Sequence, residues 1–184
     1  MFNQRKAAQA AHFFLEKDGG RIPLLKLMKL MYLAERRSLE VRGDSMFDDR
    51  ALSMDHGPVL SSTYSCINGE IEFDSEWARH VSDRQCDHML ELAEDAHGLE
   101  LDDLSRRDRE ILDKVWSDVG HMGKWRIRDH THEVCEEWEH PSGSAIPISE
   151  ESILSALGYP ASVSREIAEE IAHLREVDSA IGVQ

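Results

Sequence analysis

Leu24–Tyr64 reads LLKLMKLMYLAERRSLEVRGDSMFDDRALSMDHGPVLSSTY, and the fold turns on it. Leu24, Leu27, Met28, Met31 and Ala34 recur at helical spacing, and Leu25, Leu30, Tyr32 and Leu33 widen that stripe. A helix apolar over most of its circumference packs on more than one side, so this one is predicted to be central. Pro23 suits its first position, where a missing N–H costs nothing, and Gly43 ends it. Lys26, Lys29, Arg36 and Arg37 fill the remaining strip and form a candidate exposed basic surface. After the polar turn Asp44–Arg50, Ala51–Asp55 has the composition of a short strand. His56-Gly57-Pro58 then reads as a corner, with Pro58 opening a helix that runs to about Ile67 and ends at Asn68-Gly69.

Outward from that stretch the chain is mostly helical. Asn3 is a candidate cap for a helix over 4–17, stopped by Asp18-Gly19-Gly20. Glu70–Phe73 is expected to pair as a strand with Ala51–Asp55. Met89, Leu90, Leu92 and Ala93 suggest a helix within 86–96. Ser105 opens a clear helix to Val119 with Ile111, Leu112, Val115 and Trp116 inward. A further helix is expected from about Lys124 to Trp138, carrying Trp125, Ile127, Val134 and Trp138. Ser149 caps a short helix ending at Gly158, and a last amphipathic helix follows Pro160–Ser164 with Ile167, Ile171 and Leu174 inward. The expected fold is one multi-helix domain, mostly α, with a small two-stranded β element near residues 51–73. Residues 1–145 are read as the domain and 146–184 as a helical extension packed on it.

Composition narrows the function. The chain has 184 residues, 41% of them hydrophobic, and a formal charge of −15. That charge repels phosphate backbones, so direct DNA binding is not expected. No apolar run is long enough for a membrane span, and the N-terminus lacks the pattern of a signal peptide. Cys66, Cys86 and Cys135 are sparse and unpaired in spacing, which suits a reduced, cytoplasmic protein.

The chemical motifs are weak. Asp129, His130, His132 and Cys135 are the best metal cluster. On a helix, however, His130 and His132 point about 200° apart, and the spacing matches no metal motif. His132 is read instead as hydrogen-bonded inside the domain. No nucleophile elbow, phosphate loop or catalytic cysteine setting is present. Glu136-Glu137 reads as a wet helix face. The reading is therefore not an enzyme, with no cofactor and no metal. Tyr32, His56, Tyr64 and Trp138 join a ring to a polar tip and so serve either as ties between elements or as partner contacts.

Three blocks resemble the Panacea-domain, or SocA-like, antitoxin family. The first is Lys26–Ala34, KLMKLMYLA. The second runs from Met46-Phe47-Asp48 through Ala51 to His56-Gly57-Pro58-Val59 and Tyr64. The third is Leu104–Trp138, ending in Thr131-His132 and Trp138. His56 stands where the family more often has an aromatic residue, and the tail from Ile146 is less characteristic. The resemblance implies an antitoxin of a type II toxin–antitoxin pair that binds and silences a protein toxin encoded beside it. It also implies a link to degradation machinery, through the member that names the family. Lys26, Lys29, Tyr32, Arg36, His56 and Tyr64 are the candidate partner contacts. Leu27, Leu30, Gly57, Pro58, Val59, His132 and Trp138 are motif residues read as structural. The −15 charge suits a basic, RNA-directed toxin. The alternative is a phage- or mobile-element-encoded protein that acts on a host factor without catalysis.

Overall fold

The computed structural model describes residues 1–70, 76–82 and 88–181. Helix α1 (Gln4–Lys17) starts where Asn3 accepts a hydrogen bond from the Lys6 amide at 3.0 Å. Its Ala7, Ala8, Ala11, Phe14 and Leu15 are buried. Gly19 and Gly20 both take positive φ, which stops the helix and turns the chain. A strand absent from the sequence expectations follows, β1 (Arg21–Pro23), and Leu24 then begins α2 (Leu24–Arg42). Gly43 closes α2 in the left-handed conformation. As its apolar girth requires, α2 is the hub. It packs against α1 and β1 and against several of the helices and strands that follow.

The corner after α2 differs from expectation. β2 (Ala51–Met54) pairs antiparallel with β3 (Gly57–Leu60), so Asp55-His56 is the loop of a tight hairpin. Pro58 lies in β3 and opens no helix. Helix α3 (Ser61–Ile67) begins three residues later. Its start is stabilised from outside: buried Asp49 accepts from the amides of Ser62 and Thr63 and from the Thr63 hydroxyl, each at 2.8 Å. A carboxylate at a helix N-terminus satisfies orphan donors and meets the positive end of the dipole.

Helix α4 (Glu76–His80) packs on α1, and β4 (Met89–Glu91) pairs with β1. Met89–Glu91 is therefore strand, not helix. Its apolar spacing is short enough to fit either period, and pairing with β1 decides it. Residues 71–73 of the expected second strand, and Cys86, lie outside the described residues. β2 takes two other partners, β3 and β5 (Ile146–Ile148), in the order β3-β2-β5. The small β element near residues 51–73 is thus present as the β2–β3 hairpin; among the described residues β5 extends it to three strands, and β1 with β4 forms a further two-stranded sheet.

Helix α5 (Arg106–Val119) opens with a capping box between Ser105 and Asp108. Helix α6 (Lys124–Val134) ends four residues before Trp138, shorter than expected. Helix α7 (Glu150–Ala156) is capped by Ser149, and α8 (Ala161–Ile181) follows. Ile171 is buried on α8 whereas Leu174 is half exposed. Mostly α with small β elements is the result. Among the described residues no helix is long and apolar enough to cross a membrane.

Candidate functional site

The three sequence blocks quoted above converge where α2 meets the β2–β3 hairpin and the end of α6. Lys29 on α2 is fully buried and donates to the carbonyl of Pro58 at 2.8 Å. Burial pushes its ammonium down to about 7, and the charge of Arg128 acts in the same direction. Gly57 holds φ +92°, and a Cβ there would sit 3.0 Å from the His132 ring and from Thr131 Oγ1. Glycine is thus required twice, by backbone conformation and by the approach of α6.

After α6 the chain crosses the hairpin. The Trp138 indole N–H donates to the Met54 carbonyl at 3.0 Å, and the Glu139 amide donates to the Ser53 hydroxyl at 3.2 Å. His132 stacks on Trp138 with ring centroids 4.0 Å apart. His132 Nε2 is buried with no hydrogen-bond partner, so stacking holds the ring and the expected hydrogen bond is not made there. Burial lowers the His132 pKa, and the charges of Lys29 and Arg128 lower it further.

On the adjacent side Glu137 anchors a second polar group. Its side chain is fully buried, where the sequence suggests a wet face. It accepts from the Tyr32 hydroxyl at 2.6 Å and from Arg36 Nε at 2.8 Å. A carboxylate can be buried when such donors satisfy it. Burial and Glu137 together raise Tyr32 well above its usual pKa and push the Cys135 thiol up to about 12. Burial likewise pushes the Cys66 thiol up to about 12. Neither cysteine is thereby an activated nucleophile.

The basic strip expected on α2 is dismantled. Lys26 is buried, bonds Asp18 at 2.8 Å and lies over the Trp116 ring, while Lys29 is inside. Arg36 is half-buried on Glu137, and Arg37 pairs with Glu40. Long stems on an apolar helix bury themselves and deliver their charged tips to acceptors at its edge, carboxylates for Lys26 and Arg36 and a backbone carbonyl for Lys29. Leu27, Leu30, Pro58 and Val59 are core.

Of the six candidate contacts, Lys29, His56 and Tyr64 border one cleft of about 460 Å³ between α2, the hairpin and the start of α6. Lys26, Tyr32 and Arg36 do not border it. Trp125 is 52% exposed and forms the lip of this cleft. The sequence held a signal: Trp125 lies two residues from Ile127, about 200° around the helix, so both cannot face inward. Among the described residues no group of three or more His, Cys, Asp or Glu side chains converges as a metal site.

The site thus consists of a buried polar layer and an open, mostly apolar cleft, without an activated cysteine among the described residues. No curated protein and no solved structure matches the chain. A family model described as antitoxin SocA-like, Panacea domain, matches residues 27–139, which cover the hub helix, the hairpin and the closing segment through Trp138. The chain belongs to the SocA-like antitoxin family and carries its Panacea domain.

Proposed function

We propose that this protein is a non-catalytic antitoxin of a type II pair, which silences a toxin encoded beside it by direct binding. Family membership over residues 27–139 carries the reading. Burial pushes the Cys66 and Cys135 thiols up to about 12, which disfavours thiolate chemistry at either. Inhibition is steric: the antitoxin covers the toxin's active or substrate-binding surface. The formal charge of −15 steers a basic toxin to it and raises the association rate. Residues 1–145 act as the recognition domain and 146–184 as an extension. The extension is supported by the pairing of β5 with β2 and by the packing of α7 on α2.

Co-expression of the chain with the product of the neighbouring reading frame tests the reading. Growth is expected to be restored and the two proteins to copurify. Full toxicity with no copurification would falsify it.

A further inference from the structure

The cleft bordered by Trp125 is of a size that takes a compact ligand group. Met28 from α2 and Val59 from β3 give it an apolar inner wall. The Trp125 ring forms its lip, set edge-on to exposed His56 with centroids 6.1 Å apart. A large aromatic side chain left half in water beside an apolar hollow is the kind of residue that anchors protein interfaces.

Charge at the lip of the cleft runs against the rest of the chain. Lys124 lies 5.5 Å and Arg128 5.0 Å from the centre of the Trp125 ring. Arg128 is partly neutralised by Asp129, but Lys124 pairs with no carboxylate among the described residues. Lys29 lies beneath the wall, and Asp55 is the carboxylate on the lining. A chain of charge −15 therefore presents an apolar hollow with one cation unpaired among the described residues, Lys124, at its lip.

We infer that this cleft seats a segment of the toxin in which a large apolar side chain is flanked by Asp or Glu. This rests on the antitoxin reading above. The apolar side chain packs against Met28, Val59 and the Trp125 ring. The flanking carboxylate meets Lys124 at the lip. A Lys- or Arg-flanked segment would meet like charge there, so the cleft discriminates by repulsion as well as by attraction. The overall acidic surface draws in a basic toxin, and the cleft selects where on that toxin the contact forms.

The test uses overlapping short peptides tiling the copurifying toxin, titrated by fluorescence anisotropy against the full chain and the variants Trp125→Ala and Lys124→Glu. Both side chains are exposed, so both variants are expected to melt like wild type. Bound peptides are expected to carry an apolar residue beside Asp or Glu. Each variant is expected to weaken them by about tenfold or more, as loss of an interface anchor does. Replacing the peptide's acidic residue by Lys is expected to restore binding to Lys124→Glu.

Copurification of the toxin with no peptide bound, with basic peptides bound, or with binding untouched by both variants overturns the inference and leaves the antitoxin reading standing. Saturation of the cleft by benzoate, with no peptide bound, overturns it in favour of a small-molecule site. A wild-type chain that fails to copurify the toxin removes the antitoxin reading and this inference with it.

Discussion

The indole of Trp138 lies flat on the imidazole of His132, 6° from parallel, while its N–H is spent on the Met54 carbonyl. One side chain thus ties the segment after α6 to both α6 and the hairpin. Trp138→Ala should cost about 2–3 kcal/mol, below the loss for a fully buried aromatic because the ring is half-buried. Trp138→Phe keeps an aromatic ring over His132, loses the donated hydrogen bond and should cost about 1 kcal/mol. Urea unfolding of the two variants checks both. Equal losses would show that stacking contributes nothing separable.

Gly57→Val should be more harmful still. It places a side chain at φ +92° and pushes a Cβ to 3.0 Å from the ring of His132. A residue held in that region costs about 1–3 kcal/mol before any clash is counted. Gly57→Ala in a His132→Ala background removes the ring from the clash and leaves the backbone strain and the Thr131 contact. The alanine should therefore be less harmful there than in wild type. Thermal melts of the four proteins measure the coupling, and additive losses would refute the close approach.

Glu35 makes a pH prediction. It is buried on α2 and accepts from the Ser45 hydroxyl and from the amides of Met46 and Phe47. Burial raises its carboxyl to about 7 despite those donors. A carboxyl whose folded pKa exceeds its unfolded value contributes stability that is fully present below about 4.5 and lost as pH rises through about 7. Glu35→Gln keeps an acceptor for the two amides and a donor for Ser45, and it cannot ionise. The stability of the variant relative to wild type should rise between pH 5 and pH 8, as read from urea melts at each pH. A constant difference across that range would show that Glu35 does not titrate near pH 7 in the folded protein.

The histidine pair between α1 and α4 works in the opposite direction. His12 and His80 face each other with their Nδ1 atoms 3.0 Å apart, both buried. Burial first, and then His12, lowers His80 to about 4. A histidine with a depressed folded pKa withholds its proton, so stability is lost as pH falls from about 6.5 through about 4. His80→Gln should flatten that acid limb relative to wild type. Circular dichroism melts between pH 7 and pH 4 follow it, and an unchanged acid limb would assign the acid sensitivity to other groups.

Much of this molecule was readable from local pattern. The cap at Asn3, the glycines after α1 and α2, the box at Ser105 and the apolar girth of Leu24–Arg42 are decided within one or two turns of chain. Short-range sterics and backbone hydrogen bonding set them, and residue types report those directly. The family was legible for a similar reason, because its blocks keep their order and spacing along the chain.

Tertiary structure alone decided the rest. Met89–Glu91 becomes strand because β1 supplies its ladder, and β5 joins β2 from almost a hundred residues away. Pro58 sits in a strand because the hairpin needs a partner for β2. The fates of charged side chains were equally remote from local pattern. Lys26 and Lys29 look solvent-facing on a helical wheel, yet Asp18 and the Pro58 carbonyl receive them inside. Glu137 looks wet, yet Tyr32 and Arg36 bury it. Trp125 is left at the surface, since Ile127 takes the inward face of α6. Whether a charge can be buried depends on a partner delivered by another element, and that partner is set by the fold rather than by neighbours in sequence.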